Sequence, residues 1–269
     1  MTEAKQPPQI FRTLALLYLV TNARYGSGIK RRRVQRVVTR PEREAVTAVL
    51  ESLPATIAAW SDGMAALEPL DIIEVRRPLG TLSSSGGGRW WAGPRDCRAE
   101  LSEHAREGLY DSVIVLWPAA PEVPLCGWGC TIGPTEDAGG AGFTSITTDH
   151  WPTLATDPDP AQGYVHEWLH QVEAVYRGLG LSEDELPNLH DAGAYTSTRD
   201  PLIPPFGRSH ADYHDGSDGR PGARTWSPWY RDWMTGRLRR LGNGASGDTG
   251  GPTDGPIGLT PERWELRRR

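Results

Sequence analysis

An α/β chain (α+β in the looser sense) with a mixed, mostly parallel sheet is predicted by three features of the sequence. Residues 11–20 and 112–117 are short, almost purely apolar runs, as strands are when helices cover both sheet faces. Longer stretches with helical spacing lie around them. The order strand–helix–strand, then helix–strand, is that of a layered α/β structure.

Taken in order, residues 11–20 form the first expected strand. Thr39-Arg40-Pro41-Glu42 then reads as a helix start, with Thr39 a cap and Pro41 in the first turn. Val46, Val49, Leu50, Leu53, Ile57 and Trp60 keep helical spacing behind it, and Pro54 is expected to kink or divide that helix. Residues 71–75 are a second strand candidate, and the Ser- and Gly-rich residues 81–88 are expected to be a mobile loop. A helix over 95–109 would lead into the central strand 112–117. After a Gly- and Pro-rich loop, the alternating residues 143–148 read as an exposed edge strand. Residues 162–178 form the next helix. Patterning fades from Leu181 onward, with a short helical piece over 229–241 and a low-complexity stretch over 242–258. The expected organisation is an N-terminal lobe (1–180) carrying helix 162–178, an irregular, partly helical C-terminal lobe (181–241), and a flexible tail (242–269). Residues 260–269 within that tail read equally as a short capped helix or a frayed basic end.

Composition narrows the function classes. A chain of 269 residues with 38% hydrophobic and 23% charged residues can form a core and is not globally disordered. The net charge of −5 argues against a general nucleic-acid binder, which needs a basic footprint. The local run Lys30-Arg31-Arg32-Arg33, with Arg36, reads as a solvated turn and strand start. Three Cys do not make a disulfide framework; Cys126 and Cys130 are expected in a plain loop, although they could pair or bind metal. Residues 14–20 are apolar but too short to span a bilayer or serve as a leader, so the expectation is a cytoplasmic protein without a membrane partner. Eleven Trp against three Phe suit half-wet cleft walls as well as cores.

The chemistry concentrates in His166-Glu167-Trp168-Leu169-His170. On a helix, positions i and i+4 share a face, so two imidazoles can grip one ion. The intervening Glu167 can then take a proton from water activated by that ion. Five of the seven His fall between residues 166 and 214. A catalytic zinc needs a third protein ligand and an open position. His190, twenty residues past His170, is the first choice, with Asp191 and Glu173 as alternatives. Glu173 lies a further turn along the same face, about 5 Å of rise away, which suits orienting a ligand better than binding the ion. For the group that would hold a developing oxyanion, Tyr195 and the cluster His210, Tyr213 and His214 remain open.

These residues resemble the zincin superfamily of zinc metallopeptidases. The resemblance rests on the five-residue helical motif, on the strand candidate before it and on the buried strand 112–117. It implies a zincin-like fold over about residues 10–195, a zinc cofactor held by His166, His170 and His190, and Glu167 as general base. Zincins hold an extended peptide along an edge strand, which would make Phe143, Thr144 and Ser145 substrate-binding. The chain departs from the pattern in two respects. The metzincin continuation, with Gly and a third His soon after the motif, is absent. A Glu on a following helix is not evident either, since Glu183 and Glu185 lie too near the helix end.

The function expected is a substrate-specific zinc hydrolase acting on peptide or amide bonds, with a peptide or peptide-like substrate. The alternative is a zincin-fold biosynthetic enzyme on a small peptide-like or glycosidic substrate, or a non-catalytic metal-containing binding protein. In that alternative an aromatic groove would draw on Trp90, Trp91, Trp128, Trp151, Trp226, Trp229 and Trp233.

Overall fold

A computed structural model describes residues 6–26, 28, 31–126, 129–148, 160–199, 227–241 and 255–268. Its centre is a five-stranded sheet in which β1 (Gln9–Tyr18) lies between β4 (Ala65–Val75) and β8 (Ser112–Trp117), followed by β10 (Gly142–Thr147) and β9 (Gly129–Ile132). Pairing is parallel from β4 through β10, and β9 alone runs antiparallel. The mixed, mostly parallel α/β expectation therefore holds.

The apolar runs reflect burial on both faces. Ala15 and Leu17 of β1, with Ile114 and Leu116 of β8, face one core. Leu14, Leu16, Val113 and Val115 face the other. The first core is covered by α1 (Arg40–Trp60) and α3 (Gln162–Gly178). Against the second pack the short α2 (Arg98–His104) and a three-stranded sheet of β2 (Val20–Tyr25), β3 (Arg32–Val37) and β5 (Leu79–Thr81).

Helix α1 starts as expected. Thr39 Oγ1 accepts from the Glu42 N–H, and the Glu42 carboxylate accepts from the Thr39 N–H, a reciprocal cap. Pro54 does not divide the helix, because the buried stripe Val46–Val49–Leu50–Leu53–Ile57–Trp60 continues through it. Residues 81–88 are likewise more ordered than expected. They lead into a hairpin of β6 (Ser83–Gly86) and β7 (Arg89–Trp91), turned by Gly86, Gly87 and Gly88 at positive φ, where no Cβ is tolerated comfortably. The helix expected over 95–109 is shorter, as α2.

Three larger expectations are corrected. First, β10 is not an edge strand: it is hydrogen-bonded on both sides, and every residue from Gly142 to Thr147 is buried. Among the described residues the outermost strand at this end of the sheet is β9. Second, the described residues of 181–241 pack into the core of the preceding part of the chain. Leu186, Leu189, Tyr195, Trp229, Trp233 and Leu238 join the same core as α1 and α3. The 229–241 helical piece is α4 (Ser227–Thr235) followed by β12 (Leu238–Arg240), which pairs with β11 (Tyr195–Ser197). Third, residues 255–268 are docked, so that part of the tail is not flexible. Thr260 caps α5 (Pro261–Trp264), Leu259 and Trp264 are buried, and Tyr176 donates a hydrogen bond to the Trp264 carbonyl. Residues 242–254 lie outside the described residues.

Asp111 ties this terminal segment to the sheet. Its carboxylate accepts from the Arg12 backbone N–H at 2.8 Å and from Arg12 Nε at 3.0 Å, and pairs with Arg267 at 2.5 Å. Burial alone would raise the Asp111 pKa, but the Arg12 hydrogen bonds and the Arg267 charge outweigh it and hold the carboxyl below its usual value. A folded-state pKa below the unfolded one contributes stability that is full above about pH 4 and lost as pH falls through the folded value. Asp111→Asn should thus cost about 1–3 kcal/mol at pH 7, at the lower end because Arg12 is half exposed. The penalty should shrink towards pH 3. Denaturant melts at the two pH values measure it, and an equal penalty at both would contradict the assignment.

Candidate metal centre

Helix α3 carries its chemistry on one stripe. Tyr164, Val165, Trp168, Leu169, Val172 and Tyr176 face the core, which leaves His166, His170, Glu173 and Arg177 at 4-3-4 spacing along the cleft side. The helix is pinned by Gln171, whose Nε2 donates to the Val113 carbonyl and, at 2.7 Å, to Thr144 Oγ1. Helix and sheet approach closely because the strands carry glycine at the contact. A Cβ on Gly142 would lie 2.8 Å from Gln171 Oε1, and one on Gly133 would lie 3.1 Å from the Ala174 Cβ.

After Gly178 the chain turns through Gly180 at φ +102°, and the Leu181 N–H bonds back to the Tyr176 carbonyl. Two tryptophans of α4 then hold the returning loop: Trp233 Nε1 donates to the Pro187 carbonyl and Trp229 Nε1 to the Leu189 carbonyl. The Asn188 side chain accepts from the His190 N–H, closing a local turn. His190 is thereby carried back over α3. Its ring centroid lies 5.3 Å from that of His166 and 4.9 Å from that of His170.

One ring nitrogen from each of His166, His170 and His190 lies within 4.8 Å of the others. The Nε2 atoms of His166 and His170 are 3.1 Å apart, close to the roughly 3.3 Å that tetrahedral ligands at 2.0–2.1 Å require. The opposite nitrogens are held from outside. His166 Nδ1 is 2.9 Å from the Tyr230 hydroxyl, and His170 Nδ1 is 3.4 Å from Glu173 Oε2. Such contacts fix the tautomer that presents Nε2 to an ion. Partial desolvation, aided by the neighbouring His170, lowers the His190 pKa and favours the neutral imidazole that can ligate. Glu173 therefore stands behind His170. Asp191 lies beside His190 in an adjoining depression, outside the three-His cluster.

Glu167 lines the same cleft and is buried where α3 meets β9. Thr131 Oγ1 donates to Glu167 Oε2 at 2.7 Å, and the Gly129 backbone also hydrogen-bonds the carboxylate. Thr131 is in turn 2.8 Å from Thr144 Oγ1, which accepts from Gln171. Thr131 spends its one hydroxyl proton on the carboxylate, so between the two threonines Thr144 is the donor, and Thr144 in turn accepts from Gln171 Nε2. Burial raises the Glu167 pKa; His170, the Thr131 bond and the Gly129 bond pull it back without cancelling the effect.

Gly129 is required sterically. A Cβ there would stand 2.5 Å from Glu167 Cδ, well inside van der Waals contact. Gly129→Ala should push the carboxylate aside and leave the His cluster in place. If this carboxylate serves a reaction, a misplacement of about 1 Å should cost on the order of 100-fold in rate at unchanged metal content. Parallel kinetics and elemental analysis check this, and metal loss in step with activity would contradict it. Tyr230→Phe probes the other side. The ring still stacks on Trp60, but the His166 contact is lost, so metal affinity should weaken about tenfold. A competitive chelator titration measures this, and unchanged affinity would remove Tyr230 from the site.

Together these groups line a cleft of about 500 Å³, with residues 129–133 on one wall and α3 and His190 on the other. Of the residues expected from sequence, His166, Glu167, His170 and His190 are brought together. Phe143, Thr144 and Ser145 are not substrate-facing: Phe143 packs edge-on to Trp91, Ser145 Oγ accepts from Trp117 Nε1, and Thr144 supports the Glu167 network. Tyr195 is also displaced from the expected role. Its hydroxyl accepts from Arg240 at 3.2 Å and its ring packs on Trp229. His210, Tyr213 and His214 lie outside the described residues, as do Trp128, Trp151 and Trp226. Trp229 and Trp233 are core residues with their N–H groups used internally, and Trp90 and Trp91 pack on the far side of the sheet, so these four form no groove at the cleft.

Sequence reasoning missed Gly129, Thr131, Arg177 and Tyr230. Only Arg177 had a readable signal, eleven residues after His166 on the same helical stripe. Cys126 and Cys130, expected in a plain loop with pairing as the alternative, are bonded, with Cα atoms 6.4 Å apart. Among the described residues, no helix is long and apolar enough to cross a membrane. No family model and no curated protein matches the chain.

Proposed function

We propose that this chain is a zinc-dependent hydrolase of peptide or amide bonds, of divergent zincin type. The supporting observation is the convergence of three imidazoles beside a buried, hydrogen-bonded carboxylate in an open cleft. The donor set suits zinc: three imidazoles, two with ring nitrogens 3.1 Å apart and all three with a nitrogen within 4.8 Å of the others, leave a fourth position for water or substrate. His166, His170 and His190 would hold the ion, which when bound lowers the pKa of water and polarises a carbonyl.

The remaining roles belong to the chain itself. Glu167 takes the proton from the attacking water and returns it to the leaving amine. Thr131 and Gly129 keep its carboxylate aimed while it does so. Strand β9, which among the described residues pairs with β10 alone, offers its outer edge to an extended peptide. In this reading residues 129–133 take the peptide-binding role expected of Phe143, Thr144 and Ser145. The short β9 and the helical motif beside it are what support the zincin comparison.

The test is incubation of the zinc-loaded protein with a mixed peptide library, read by mass spectrometry. Cleavage that stops on chelation and returns with zinc is the expected result. Zinc binding without cleavage of any peptide would favour the non-catalytic alternative.

A further inference from the structure

We propose that Arg177 is an anchor for a substrate carboxylate, so that the cleft selects acids two or three residues from the bond it acts on. The inference rests on the reading of the cleft as a peptide-hydrolase site and adds a substrate class to it. Arg177 shares the stripe of His166, His170 and Glu173 and lines the same cleft. Among the described residues lining it, Arg177 is the only Lys or Arg; the other ionisable groups are imidazoles and the carboxylates of Glu167 and Glu173.

Neither carboxylate competes strongly for it. Glu167 is held by Thr131 and Gly129. Glu173 directs Oε2 to His170 at 3.4 Å and meets Arg177 NH2 through Oε1 at 3.8 Å, beyond hydrogen-bonding range. A guanidinium has five N–H donors in a planar fork suited to bidentate carboxylate binding. Side chains on a helix lean towards its N-terminus, and the Glu173 contact shows Arg177 leaning towards the His cluster. The two contacts, at 3.4 and 3.8 Å to the two oxygens of one carboxylate, keep the guanidinium within about 10 Å of His170 Nδ1. An extended peptide advances about 3.3 Å per residue, so an acid two or three residues along meets Arg177.

The carboxylate could be the α-carboxylate of a short peptide or an Asp or Glu side chain at that position. The experiment separates the two sources. Peptide hydroxamates, whose hydroxamate ligates the metal, carry at the second or third residue either a C-terminal acid or its carboxamide, or an internal Glu or its Gln counterpart. Dissociation constants for the zinc-loaded protein are measured by calorimetry. Hydrogen bonds to a charged group are worth about 1.5–3 kcal/mol, so an acid should bind about 10- to 100-fold more tightly than its amide. Preference within the first pair assigns the α-carboxylate, and within the second the side chain. In Arg177→Gln the acid preference should collapse towards one, and in Arg177→Lys it should be intermediate, because the charge remains and the fork is lost. Equal binding of acids and amides, a preference that survives Arg177→Gln, or no binding of any probe overturns the inference. An acid preference without turnover would overturn the hydrolase reading alone; zinc-dependent turnover without the preference would overturn this inference alone.

Discussion

Glu167→Gln should retain zinc and lose turnover by about 10²- to 10⁴-fold, the range over which a positioned general base contributes. The substitution keeps the side chain's shape and a hydrogen-bonding group in the slot between Gly129 and Thr131, so the fold should persist. It replaces the carboxylate with an amide too weakly basic to collect the proton. None of the three clustered ring nitrogens belongs to this residue, so metal content should be unaffected. Kinetics on zinc-loaded protein, with elemental analysis of the same sample, gives both numbers. Full activity in the variant would show that another group takes the proton.

His190→Ala is expected to produce the largest change in metal affinity for the smallest change in stability. Outer contacts to metal ligands are worth about 10- to 100-fold in affinity, and loss of a direct ligand should exceed that, at least about 100-fold. The fold should survive because His190 is the most exposed of the three. Its loop is held through Leu186 and Leu189 in the core and through the Trp229 and Trp233 hydrogen bonds. Chelator competition together with a thermal melt of the metal-free protein separates the two effects. Unchanged affinity would mean that another residue completes the site.

The legible parts of this chain were those with a strong local pattern. The apolar runs of β1 and β8 and the capped, periodic α1 announce themselves, because each must present continuous apolar surface to a core. The helical His motif was legible for the same reason, since 3.6-residue periodicity fixes which side chains share a face. The misplacement of the edge strand has a specific cause. In β10, Thr144 and Ser145 look like solvent-facing polar residues, but their hydroxyls are satisfied inside by Gln171 and Trp117. The true edge, β9, is four residues long and begins with Gly129. It owes its strand geometry to pairing with β10 and to the bond that ties its second residue, Cys130, to Cys126 before it. The C-terminal half looked irregular because its core consists of isolated tryptophans and tyrosines spaced without period. Tyr230 meets His166 across 64 residues, a contact set by packing that no local pattern encodes.

The central claim is that His166, His170 and His190 form one metal site, and zinc stoichiometry tests it most directly. Purified protein, equilibrated with zinc and dialysed free of excess, is analysed for bound metal. The account predicts about one zinc per chain, lost in the His166→Ala, His170→Ala and His190→Ala variants. Protein that retains no zinc, or retains it equally in all three variants, would contradict the account at its root.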